Sequence, residues 1–129
     1  MLKRNAHELV AAAKAHIHEC TLEEAKAQVA AGQVLLLDVR EPDEYHAGHL
    51  AGAINVPRGL LEFRLSGDAT LGDTGRQVLV YCKTSGRAAL AALVMQDMGF
   101  AHVQSLAGGF DAWVAAGLPV DKPQALGFD

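Results

Sequence analysis

The sequence predicts an α/β domain built on a mainly parallel sheet with helices on both faces. Two unbroken apolar runs, Val34-Leu35-Leu36-Leu37 and Val78-Leu79-Val80-Tyr81, have the pattern of strands covered on both sides. A weaker run follows at residues 103–106. Segments of helical periodicity, each with its own start or stop signal, separate these runs, and strands alternating with helices predict a parallel sheet.

The elements follow in order. Asn5-Ala6-His7-Glu8 reads as a capping box, after which Leu9, Val10, Ala13 and Ile17 recur at helical spacing. Thr21-Leu22-Glu23-Glu24 is a second capping box. Its helix carries Leu22, Ala25 and Val29 on one face, and Gly32 suits a left-handed stop. The first strand follows. Pro42 then opens a short helix through Tyr45 and His46, and Gly48, Gly52 and Pro57 punctuate a loop holding the short apolar piece Ala53-Ile54. Residues 58–65 suit another short helix, and the Gly- and Asp-rich stretch 66–77 suits a surface loop. After the second strand, residues 88–98 are apolar nearly all round, as in a helix buried against a sheet, and Gly99 stops it. The third strand leads through Gly108-Gly109 into a helix that turns Phe110 and Trp113 inward. A buried Trp113 needs a partner for its N–H.

Composition narrows the function. A chain of 129 residues is one domain, able to bury roughly two-thirds of its unfolded surface. A net charge of −4 argues against a nucleic-acid partner, which needs a basic stripe. No apolar run approaches the ~20 residues of a membrane span, and no apolar segment follows the cations at the N-terminus as a secretory signal requires. Two cysteines do not make a disulfide framework, so a cytoplasmic location is expected.

One of those cysteines is placed for chemistry. Cys82 ends the second strand, and Lys83-Thr84-Ser85-Gly86-Arg87 curls from it into a helix N-terminus. Ligands in parallel sheets bind beyond the carboxyl ends of the strands, where Asp38 and Arg40 also fall. Loop amides and the first turn of a helix favour an anion at their centre, and so do the cations Arg87 and Lys83. Such surroundings favour thiolate, the nucleophilic form. Arg87 either clamps the loop or meets substrate, its planar fork being able to do both. Asp38 is expected to accept hydrogen bonds that hold the loop or Arg40. Arg40 either faces the pocket or pairs with a carboxylate such as Glu41 or Glu44. Arg58 and Arg64 are surface arginines that rim the pocket at most. Cys20 reads as a small buried hydrophobe. His16, His18 and Cys20 alternate, but a fourth zinc ligand is not evident. His49 suits a structural hydrogen bond better than a metal.

Four segments occur in a fixed order: residues 38–45, Asp-Val-Arg-Glu-Pro-Asp-Glu-Tyr; residues 48–57, Gly-His-Leu-Ala-Gly-Ala-Ile-Asn-Val-Pro; the loop 82–87; and residues 106–113, Leu-Ala-Gly-Gly-Phe-Asp-Ala-Trp. In these the chain resembles the single-domain rhodaneses, a family of sulfurtransferases, over about residues 21–120. The resemblance implies a five-stranded parallel sheet, with residues 20–129 as the rhodanese-like domain and residues 1–19 as an amphipathic helical extension outside it. That extension packs back onto the domain or serves as a contact for a partner or a second copy. The resemblance implies Cys82 as the catalytic residue, with Lys83, Thr84, Ser85, Gly86, Arg87 and Ala88 binding substrate and Asp38, Arg40 and Arg58 in support. Sulfur would pass from a donor such as thiosulfate, through a cysteine persulfide, to cyanide, a thiol or a protein acceptor, with no metal or organic cofactor. Many members of the family carry glycine where Ser85 stands and serine where Ala88 stands, which bears on substrate preference. Two other readings stay open: a persulfide carrier serving a protein partner, and a phosphatase or arsenate reductase on the same fold. Members of the latter kind typically have a loop one residue longer.

Overall fold

The computed structural model describes residues 1–122; the stretch 123–129, which the domain boundaries above include, lies outside the described residues. Both capping boxes form. Asn5 opens α1 (Ala6–Lys14) and Thr21 opens α2 (Leu22–Ala31), which Gly32 ends at φ +73°. Between them β1 (Glu19–Cys20) is only two residues long. The central strands are β2 (Leu35–Asp38), β5 (Val78–Tyr81) and β6 (Val103–Leu106).

The stretch between β2 and β5 holds more structure than its loop-like composition suggests. After α3 (Pro42–Ala47) come β3 (His49–Leu50) and β4 (Ile54–Asn55), then a 3-10 turn (Arg58–Leu60) and α4 (Leu61–Gly67). The chain continues through α5 (Gly86–Asp97), α6 (Gly109–Ala115) and β7 (Val120–Asp121). The five-stranded sheet runs β1-β6-β5-β2-β4 with every neighbour parallel, and β3 pairs separately with β7, antiparallel.

Strand alternation divides the core in two. Leu35, Leu37, Val78, Val80 and Cys82 face α4 and α5, meeting Leu61, Leu65, Ala88, Ala91, Ala92 and Met95. Leu36, Leu79, Tyr81, Leu106 and Cys20 face the other way, onto Ala25 of α2 and Trp113 of α6. The Trp113 indole donates to Pro119 O at 2.8 Å, which satisfies the one polar atom the ring carries inside. Ala13 of α1 is fully buried, and Val10 of the same helix lies beside Gly86 at the start of α5, so the N-terminal helix lies against the domain. No helix among the described residues is long and apolar enough to cross a membrane.

Candidate active site

β2, β4 and β5 end level with one another, Asp38 standing beside both Asn55 and Tyr81. Cys82 follows directly. The residue is only 1% exposed, and its Sγ accepts from Ala88 N at 3.4 Å in the first turn of α5. Helix α5 begins at Gly86, two residues earlier than its apolar face. The first N–H groups of a helix lack intrahelical partners, and here one of them is turned onto the sulfur.

The outer side of the loop is tied to α6. Phe110 N donates to Cys82 O at 2.8 Å and Asp111 N to Lys83 O at 3.0 Å. Gly109, at φ +57°, passes so close that a Cβ there would lie 2.5 Å from Cys82 O and 2.8 Å from Lys83 O, and would crowd Thr84 O as well. The carbonyls of three successive loop residues thus lie against the start of α6. The local sequence gives Gly109 no chemical role, yet its missing side chain sets the loop's position.

Arg87 is gripped by Glu44 of α3 in a two-pronged pair, Nη1 to Oε1 at 2.7 Å and Nη2 to Oε2 at 3.1 Å. The hydrogen bonds from Arg87, with help from the Glu41 backbone and against some burial, hold the Glu44 carboxyl down at about 2. Arg87 is raised in turn, chiefly by the same bonds. A carboxyl depressed in the folded state stabilises the fold fully above its ordinary value of 4.5 and loses that contribution as pH falls toward about 2. The Glu44→Gln variant is therefore expected to lower Tm by about 3 °C at neutral pH, the scale of one part-exposed pair. The deficit should shrink as pH falls from 4.5 through about 2, read from thermal melts across that range. A deficit independent of pH would mean that the pair contributes through shape alone.

Behind the cysteine lies a buried polar network. Asp38 is fully buried and accepts from Arg40 N at 2.9 Å, from Arg40 Nε and Nη2, and from the Tyr81 hydroxyl at 2.7 Å. Arg40 also donates to Gly48 O at 2.7 Å and lies 4.2 Å over the Phe110 ring. Its carboxylate partner is Asp38, not Glu41 or Glu44: two residues back on the same strand end, Asp38 meets both the backbone N–H and the guanidinium. Burial and the neighbouring Asp38 charge push the Tyr81 hydroxyl far up, so it remains a donor to Asp38 while accepting from Leu50 N. The network joins β2, β5, the C-terminal cap of α3 and Leu50 of β3 beneath the site.

The remaining candidates divide. Lys83 is exposed and paired with Asp111 at 2.7 Å. Ser85 accepts from Lys14 of α1 at 2.7 Å. Arg58 donates its backbone N–H to Val39 O and its Nη1 to Glu62 at 2.9 Å, which turns the guanidinium along α4. Cys20 is buried on the opposite face of the sheet, where burial and then Glu24 push its thiol up to about 11. His16 and His18 are exposed while Cys20 is buried, and no cluster of three or more His, Cys, Asp or Glu among the described residues is placed to hold a metal. His49 stacks on Tyr45 and bonds its carbonyl at 3.0 Å. Glu44, Asp111 and Lys14 stand out only once the chain is folded, because each meets its loop partner from a distant element.

Fold and site together define a parallel α/β domain with one cysteine, its sulfur accepting a helix N–H, in a loop at the carboxyl ends of its strands. Residues 21–116 match the rhodanese-like domain, and the chain belongs to that family. It is 33% identical over 91 residues to a sulfurtransferase of Allochromatium vinosum, a match covering 70% of this chain and 81% of that one. It is also 40% identical over 99 residues to an HTH-type transcriptional regulator of Mycobacterium tuberculosis. That match covers 75% of this chain but only 42% of the regulator. A solved structure from Rhodopseudomonas palustris, described as a protein of unknown function and possible tyrosine phosphatase, superposes with a TM-score of 0.85 at 30% identity. It covers 94% of this chain and 97% of its own.

Proposed function

We propose that this protein is a sulfurtransferase that moves sulfane sulfur from a thiosulfate-like donor, through a persulfide on Cys82, to cyanide or a thiol. The observation that carries this reading is the Cys82 sulfur accepting an N–H from the first turn of α5 inside a loop whose carbonyls are held elsewhere. The Cys82 thiolate attacks the outer sulfur of the donor. The bond from that sulfur to the sulfonate breaks, and sulfite leaves with the electron pair. The persulfide anion would then lie beside the first turn of α5, whose Ala88 N–H already meets the sulfur, the kind of fixed dipole that stabilises charge at a reacting atom. Cyanide attacks the terminal sulfur, leaves as thiocyanate and returns the thiolate. Two half-reactions through one covalent intermediate give ping-pong kinetics. A thiol or a protein acceptor would discharge the persulfide in the same way.

The phosphatase reading has the Rhodopseudomonas palustris description behind it. Two features favour sulfur transfer instead. The loop from Cys82 to Arg87 has six residues, a tight ring around one sulfur. Arg87 is also ion-paired with Glu44 through both terminal nitrogens, which offsets the charge it could offer a phosphate. Intact mass after incubation with thiosulfate should show one added sulfur atom, which cyanide removes, and aryl phosphate should be turned over negligibly. Cys82-dependent hydrolysis of aryl phosphate with no sulfur loading would overturn the proposal.

A further inference from the structure

The cations around the loop are not equally free. Arg87 is closed by Glu44, Arg40 by Asp38, Lys83 by Asp111 and Arg58 by Glu62, each at 2.9 Å or less. Lys14 differs. Its ammonium touches the loop directly, through a 2.7 Å hydrogen bond to the neutral Ser85 hydroxyl, while its only carboxylate neighbour among the described residues, Glu19, stands off at 3.8 Å. It comes from α1, which lies before the matched family region, and Val10 on the same helix packs beside Gly86 of the loop. An ammonium has three N–H groups and no acceptor. Only one of the three is taken by Ser85, and the side chain is 35% exposed. The Ser85 oxygen accepts that bond, and a hydroxyl that accepts still carries a proton of its own to donate.

We propose that Lys14 is the charge that recognises the anionic end of the sulfur donor, a specificity residue contributed by the N-terminal helix and anchored beside the loop by Ser85. This rests on the sulfurtransferase reading for the identity of the donor, but not for the charge itself. Ser85 lies three residues past Cys82, and three residues of chain span at most roughly 10 Å. That is about one Debye length at moderate salt. A sulfonate held above the sulfur reaches outward across part of that gap, whereas an uncharged reagent gains nothing from the ammonium.

The test compares alkylation of Cys82 by iodoacetate, an anion, with alkylation by iodoacetamide, which is neutral. Thiol reactivity cancels in the ratio of the two rates, so the ratio reads charge at the rim. Lys14→Gln retains a hydrogen-bond donor of similar length without the charge, and should lower the ratio about 5-fold, the scale of one part-exposed charge contact. Lys14→Arg should keep it. Raised salt should shrink the wild-type preference toward that of Lys14→Gln, and KM for thiosulfate should rise in Lys14→Gln with kcat little changed. An unchanged ratio in Lys14→Gln, an equal slowing of both reagents, or a Cys82 that neither reagent reaches would overturn the proposal. Failure of the wild type to take sulfur from thiosulfate would instead sink the proposed function, while the alkylation ratio still decides the role of Lys14.

Discussion

Cys82→Ser is expected to abolish sulfur transfer, while Cys20→Ser leaves it within a few-fold. A serine hydroxyl is un-ionised at neutral pH and is no substitute for a thiolate, so the loss should reach the detection limit of a thiocyanate assay. Cys20 is removed from the chemistry twice over. It lies on the other face of the sheet, and its thiol is pushed up to about 11, chiefly by burial, so it stays protonated at neutral pH. Intact mass should show sulfur loading in Cys20→Ser and none in Cys82→Ser, with circular dichroism confirming that both are folded. Equal losses in two folded variants would remove Cys82 from its assigned role.

The next largest effect is expected from a residue with no functional group. Gly109→Ala should lower sulfur transfer about 100-fold, because displacing a reacting group by about 1 Å costs on that order. The added methyl would strike the carbonyls of Cys82, Lys83 and Thr84, all backbone atoms that yield only if the loop moves. The left-handed backbone adds about 1–2 kcal/mol of strain. Gly32→Ala is the matched control: it also has a left-handed backbone, φ +73°, but nothing lies within 4 Å of the new methyl. Both variants should melt at lower temperature, and only Gly109→Ala should lose activity while folded. Full activity in Gly109→Ala would show that the contact with α6 does not set the loop.

The elements that the sequence discloses are those with a local cause. The central strands β2 and β5 appear as apolar runs because both faces are covered, whereas β6, Val-Gln-Ser-Leu, gives a weaker signal. Helices α1 and α2 announce themselves through capping boxes that form as their residues imply. The two-residue strands β1, β3, β4 and β7 have no such pattern. β3 exists because His49 and Leu50 meet Asp121 and Val120, which lie far along the chain. The site divides in the same way. Cys82 and its loop form one continuous segment, visible in the sequence. The partners that tune the loop come from afar: Glu44 lies 43 residues from Arg87, Asp111 lies 28 from Lys83, and Lys14 lies 71 from Ser85. No periodicity or spacing connects such pairs, and only the folded sheet brings them together.

If Cys82 carries sulfur as proposed, the division of the core between two sheet faces bears on how that sulfur is released. Cys82 points to one side of the sheet and Cys20 to the other, with β6 between the strands that carry them. Two strand spacings amount to roughly 10 Å, beyond the ~7 Å between Cα atoms that a disulfide spans, and the side chains diverge besides. The chain has no third cysteine. There is accordingly no internal resolving thiol, and neither a persulfide nor a sulfenic acid on Cys82 can be quenched by closing a bridge within the molecule. On the proposed function, each sulfur that Cys82 accepts would therefore be collected by another group entering the same loop, and access to that loop would control the passage of sulfur.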